Sequence, residues 1–181
     1  VDVKDLLTDE EIDAVCEKTK ERGANFKMDY SEKANEKPLV YQINCTYYSA
    51  LGNDAQYLLA RAIQFFSPGI PMVYYMGLVA GENDYELMEK TDFPRNISRH
   101  NYTMEEIAKE VKKPVVQELC KLCRFRNEYD VFDGEMEIED TEDFLLKIRW
   151  KKEDKEAVLT ANVRESYFTV LYKEKDEYLA L

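Results

Sequence analysis

Apolar positions at helical spacing dominate the first two thirds of the chain. Ile12, Val15, Cys16 and Thr19 make the inner face of a helix predicted from Asp9 to about Arg22. Thr8 and Glu11 form a capping box at its start, and Gly23 ends it. A second helix is predicted from Asn53 or Asp54 to Phe66, and a third over Tyr85 to Lys90 behind the Asn83-Asp84 cap. Thr103 and Glu106 repeat the capping-box spacing and open a helix to about Lys112. Pro114 suits the first turn of the next, which continues to about Glu128. After Asp133-Gly134 the pattern changes. Short runs over Met136–Glu139, Phe144–Trp150, Ala157–Val163 and Tyr167–Tyr172 alternate with charged turns. They predict a small antiparallel β module.

Two stretches break the helical pattern. Pro68-Gly69-Ile70-Pro71-Met72-Val73-Tyr74-Tyr75-Met76-Gly77 is an apolar run between turn residues. Pro71 can open a strand but not sit inside a central one, so a strand is expected over Met72–Met76, buried on both faces. Helix, turn, buried strand and glycine-bearing loop make an α/β unit. The loop from Gly77 to His100 then lies where such units carry binding residues. The run Pro38 to Tyr48 is rich in β-formers and tyrosine and reads as a short strand emptying into a shaped loop. Tyrosine faces beside amide side chains suit a sugar, although aromatic clusters also serve as core. Phe26 to Lys37 is polar and reads as a surface loop or small subdomain.

Composition narrows the function. The 181 residues are 45% hydrophobic, enough for a core, and carry a formal net charge of −12. That balance argues against nucleic acid and against an anionic membrane surface. No apolar run approaches the ~20 residues of a spanning helix. Val1-Asp2-Val3 has neither an initiator Met nor a signal region, so a piece of a longer protein is expected. Cys120-x-x-Cys123 invites a redox or zinc reading, but no further ligands stand at matching spacing, and buried reduced thiols are preferred. Three Asn-x-Ser/Thr triplets, beginning at Asn44, Asn96 and Asn101, are taken as chance. Gly77-Leu78-Val79-Ala80-Gly81 lacks the spacing of a nucleotide-binding loop.

Several motifs together are distinctive. Tyr41-Gln42-Ile43-Asn44-Cys45-Thr46-Tyr47-Tyr48-Ser49-Ala50-Leu51-Gly52, Pro68-Gly69-Ile70-Pro71-x-Val73-Tyr74-Tyr75, Asn83-Asp84-x-Glu86-Leu87, Arg95-Asn96-Ile97-Ser98-Arg99-His100 and Lys113-Pro114-Val115-Val116 occur in this order. The chain resembles the sucrose phosphorylases of the α-amylase superfamily, glycoside hydrolase family thirteen, over roughly residues 1 to 134. The resemblance implies the C-terminal part of a TIM-type (β/α) barrel in residues 1–130, followed by a C-terminal β domain in 131–181. Met72–Met76 would be the eighth barrel strand. A whole barrel takes ~250 residues, so the first seven strands would precede this chain.

The resemblance also implies a reaction: reversible transfer of a glucosyl unit from sucrose to inorganic phosphate, with retained configuration. Retention needs a carboxylate nucleophile and a second carboxyl as acid and base. In the family these precede the region covered here, so no residue of this chain is assigned a catalytic role, and no metal or cofactor is expected. Glu82, Asp84 and Glu86 read as a helix cap and a solvated face. The fragment alone is expected to be inactive and poorly soluble.

By the same resemblance Arg99 holds the glucose ring. Tyr41, Gln42 and Val40 belong to the mobile loop that meets fructose and phosphate in turn, and His100 packs beside Arg99 as a structural hydrogen-bonder. Leu39 stands where relatives often carry Asp, which opens sucrose 6-phosphate and glucosylglycerate as alternative donors. The partners implied are an α-glucoside and phosphate, in a cytoplasmic enzyme for which a homodimer is compatible. A non-catalytic carbohydrate-binding module is the competing class.

Overall fold

A computed structural model describes residues 6–29 and 39–181; the start at Val1, most of the polar run toward Lys37, and the side chains of Asp29 and Leu39 lie outside the described residues. The chain divides into two compact units that do not follow chain order: residues 1–52 with 75–106, and residues 53–74 with 107–181.

The second unit is built on a five-stranded antiparallel meander. Its strands are β3 (Glu135–Glu139), β4 (Leu145–Lys152), β5 (Lys155–Asn162), β6 (Tyr167–Glu174) and β7 (Glu177–Ala180), paired in that order. The first four match expectation, and β7 extends the module by one strand. Two helices, α3 (Asp54–Phe66) and α7 (Pro114–Glu128), pack in the same unit, with α3 against both α7 and the central strands. Their bounds agree with the cap and proline signals. Ala157, Leu159 and Ala161 of β5 are fully buried, as are Leu119 of α7 and Tyr57 of α3. Phe66, Phe125 and Trp150 each meet Phe132 edge-to-face, and the Trp150 indole N–H donates to the Phe66 carbonyl at 2.7 Å. That bond satisfies the one polar atom of a ring that is otherwise a large apolar mass.

The first unit is lighter. Helix α1 (Asp9–Glu21) carries the expected capping box, with the Glu11 amide donating to Thr8 Oγ1 and the Thr8 amide donating to the Glu11 carboxylate. It buries no residue fully, and Val15, expected inside, is 49% exposed. Strand β2 (Leu39–Asn44) pairs antiparallel with β1 (Asn25–Asp29). The start of the polar run is thus a strand and not a loop, because a hairpin partner supplies the hydrogen bonds that its sequence does not advertise. The region after Cys45 is a short helix, α2 (Tyr47–Leu51), capped by Thr46, rather than an open loop. Helix α5 (Tyr85–Thr91) follows Asp84 as expected, and α6 (Met104–Glu110) follows the Thr103–Glu106 box, ending two residues early.

The expected strand over Met72–Met76 is absent. Residues 70–74 are irregular, and helix α4 spans Tyr75–Leu78. A buried parallel strand exists only where neighbours take its backbone hydrogen bonds, and the sheets among the described residues do not include this segment. Ile70 is 98% exposed and Met72 79%, as expected of an apolar segment without its covering layer. No helix among the described residues is long and apolar enough to cross a membrane. Cys120 and Cys123 are free and only half-buried on α7.

Candidate functional site

The residues singled out for sugar and phosphate contact all fall in the first unit. The β1–β2 ladder aligns Lys27 with Gln42 and Met28 with Val40, skipping Tyr41. Tyr41 is therefore the extra residue of a β-bulge, a device that re-aims a side chain and recurs beside active sites. Its ring is 57% exposed, and the Lys27 ammonium stands 5.2 Å from its centroid. A cation at that distance favours the ring face. Val40 is half-buried in the strand.

Gln42 reaches across to a second segment. Its Oε1 accepts from Arg95 Nη2 at 2.9 Å, and Arg95 lies in a 3-10 turn over Pro94–Ser98. Arg99 ends that turn: its amide donates to the Asn96 carbonyl at 3.0 Å, and its exposed guanidinium lies 5.8 Å from the Phe93 ring. The fold thus joins the Gln42 strand to the turn that carries Arg99. A cleft of about 690 Å³ opens between these pieces, lined by Phe26, Met28, Asn44, Phe93 and Arg95, among others. Apolar rings with a few convergent polar groups are the usual lining of a small-molecule site.

His100 is more constrained than its neighbours. Its Nδ1 lies 2.5 Å from Asp84 Oδ2, its Nε2 3.5 Å from Glu106 Oε1, and its carbonyl accepts from the Tyr75 hydroxyl at 2.9 Å. The hydrogen bond to Asp84 raises the imidazole above its ordinary pKa; burial opposes this, and the charges of both carboxylates reinforce it. Burial alone would raise Asp84, but the Leu87 amide and His100 together bring it below the usual carboxylate range. The Thr103 amide and hydroxyl lower Glu106. Asp84 is the N-cap of α5, accepting from the Leu87 amide at 2.8 Å, and Glu82 and Glu86 are exposed.

Arg95, Lys27 and the Asp84–His100–Glu106 array escaped the reading of the sequence as partners of the chosen residues. Their separations along the chain, 53 residues for Arg95 to Gln42 and 16 for His100 to Asp84, leave no local signal.

Similarity to known proteins runs along the chain as a whole. No family model matches the chain. A sucrose 6(F)-phosphate phosphorylase of Thermoanaerobacterium thermosaccharolyticum is 47% identical over 174 residues, 94% of this chain and 36% of that protein. A sucrose phosphorylase of Streptococcus mutans is 46% identical over 183 residues, 99% of this chain and 38% of that protein. The crystal structure of sucrose 6F-phosphate phosphorylase from Thermoanaerobacter thermosaccharolyticum superposes with a TM-score of 0.95 at 45% identity, covering 99% of this chain and 37% of that one. The chain therefore spans somewhat over a third of the length of these relatives. In sequence and in fold, then, it belongs to the sucrose phosphorylase family and corresponds to the C-terminal region of those enzymes.

Proposed function

We propose that this chain is the closing part of a (β/α)-barrel glucoside phosphorylase, with residues 1–130 completing the barrel and 131–181 forming its C-terminal β domain. The whole enzyme converts sucrose and inorganic phosphate reversibly to α-glucose 1-phosphate and fructose, in the cytoplasm. A preceding segment supplies the carboxylate nucleophile and the acid/base carboxyl of a retaining double displacement. This segment supplies grip. Arg99 offers fixed donors to the glucosyl hydroxyls. Tyr41 and Gln42, with the peptide at Val40, meet fructose and then phosphate as the two alternate in one subsite.

The observation that supports this best is the bulge at Tyr41 beside a Gln42 that is hydrogen-bonded to the turn ending in Arg99. A bulge held open to solvent next to a braced amide is costly for a core hairpin and useful for a binding loop. A second reading takes sucrose 6-phosphate as the donor. It is favoured by the similarity to a sucrose 6(F)-phosphate phosphorylase and, on the family resemblance, by Leu39 in place of an Asp.

Release of α-glucose 1-phosphate by the complete enzyme, with sucrose and with sucrose 6-phosphate in parallel, distinguishes the two. Arg99→Lys in that enzyme is expected to lower kcat/KM by about a hundredfold, since two directional donors are lost from a site that recognises hydroxyls. Purified residues 1–181 alone should release no glucose 1-phosphate.

A further inference from the structure

The loop that carries Arg99 is fastened on both flanks by a single residue. The Asp84 amide donates to the Ile97 carbonyl at 2.8 Å, two residues before Arg99. The Asp84 carboxylate holds the His100 ring at 2.5 Å, one residue after it. Its other oxygen accepts from the Leu87 amide at 2.8 Å, which ties the carboxylate to the first turn of α5 and prevents it from swinging away. From the opposite side His100 is met by Glu106 of α6, by the Tyr75 hydroxyl of α4 at its carbonyl, and by the Tyr102 ring at 4.5 Å. Glu106 is itself fixed by the Thr103 amide at 2.7 Å.

An ordinary surface ion pair joins two side chains and leaves the main chain free. Here the main chain is pinned before and after one arginine, and that arginine's amide is bound to the Asn96 carbonyl as well. We propose that Asp84 is a positioning residue for Arg99: through Ile97 on one side and His100 on the other it sets where the guanidinium stands over the bound glucosyl unit. Asp84 touches no substrate. The inference rests on the reading of Arg99 as a glucosyl contact.

The geometry has a pH consequence. When His100 is protonated, both ring nitrogens donate, to Asp84 and to Glu106. When it loses its proton, one ring nitrogen keeps its hydrogen on Asp84 and the link to Glu106 is given up. The clamp is therefore tightest on the acid side of the His100 titration and loosens as pH rises through it.

The test uses the complete enzyme. Asp84→Asn keeps a good helix cap and the backbone amide but removes the charge that faces His100. KM for the glucosyl donor is expected to rise about tenfold with a smaller change in kcat, the loss of one charge-assisted hydrogen bond acting through position. In the parent enzyme KM should climb as pH rises through the His100 titration, and in Asp84→Asn that climb should begin at lower pH. His100→Asn, whose amide can still donate to Asp84, should flatten it; this variant carries the same readout if Asp84→Asn fails to fold. A lowered melting temperature with KM and its pH dependence unchanged overturns the proposal and makes Asp84 a helix cap only. If Arg99→Lys leaves kcat/KM unchanged, the reading of Arg99 falls and the proposal with it. If Arg99→Lys is damaging while Asp84→Asn and His100→Asn are not, the proposal alone falls.

Discussion

The two units hold themselves together by different means. The unit containing the five-stranded sheet has a continuous interior: β5 is buried on both faces, and Phe66, Phe125, Phe132 and Trp150 lock the helices to the sheet. The unit containing the candidate site depends on caps and polar ties. Its helix α1 buries nothing fully, while Asn83, Asp84, Arg95 and His100 stitch separate segments together. Directional ties fix the position of side chains that must meet a substrate. Apolar packing supplies stability but is tolerant of which atoms meet. The difference assigns the scaffold to one unit and the alignment of polar groups to the other.

The largest effect that could break this comparison lies in the sheet. Leu159 is fully buried, so Leu159→Ala should destabilise the chain by about 3 kcal/mol, and Val15→Ala on α1 by less than about 0.5 kcal/mol. Urea unfolding of both variants measures this, and equal losses would mean that α1 packs as tightly as β5. Next in size is the cap. Thr8→Ala should cost about 1 kcal/mol, more than truncating any apolar side chain of α1, because its hydroxyl and amide close the capping box. A circular-dichroism melt would register it.

Smaller still is the separation of the units by pH. His100 has a raised folded pKa, so its contribution is complete below the ordinary histidine value of about 6.5 and is lost as pH rises through the folded value. Glu139 of the sheet, lowered by Lys147 and then Arg149, contributes above the ordinary carboxylate value and loses that contribution as pH falls through its folded one. Amide protection near Leu87 and Arg99, taken relative to the base-catalysed intrinsic exchange rate, should accordingly fall on the alkaline side, and protection near Arg149 on the acid side. Loss of protection of both on the same side would erase the distinction. The smallest change expected in stability is for Met72→Lys, within about 0.5 kcal/mol, because the side chain is already in water. Its effect should instead be a higher solubility limit, read by light scattering.

What the sequence disclosed follows the same division. Thr8, Asn53, Thr103 and Pro114 announce helices because a cap acts within one turn, and the structure places the helices where those residues stand. The four longer strands of the sheet were legible from alternation and turns. β1 was hidden because Asn25-Phe26-Lys27-Met28-Asp29 carries no strong strand signal of its own. β7 was hidden by its charged flanks. The Met72–Met76 run misled because an apolar stretch reports that something should cover it, not that anything does. In the candidate site, Tyr41, Gln42 and Arg99 were reached through family resemblance. The bulge, the Arg95 tie and the hold on His100 depend on long-range proximity that no local pattern encodes.

Asn83 carries this logic to its end. Its side-chain oxygen accepts from the Thr46 amide at 2.8 Å, and its side-chain nitrogen donates toward the Gly23 carbonyl at 3.3 Å and the Cys45 sulfur at 3.4 Å. Only a group with an acceptor at one tip and a donor at the other can serve both sides. Aspartate has nearly the same outline, yet it would turn an ionised oxygen toward a carbonyl oxygen. Slow hydrolysis of this one amide would thus repel Gly23 where it now binds it, so an ageing sample can shed the alignment of the segments around Cys45 and Gly23 while its β sheet stays intact.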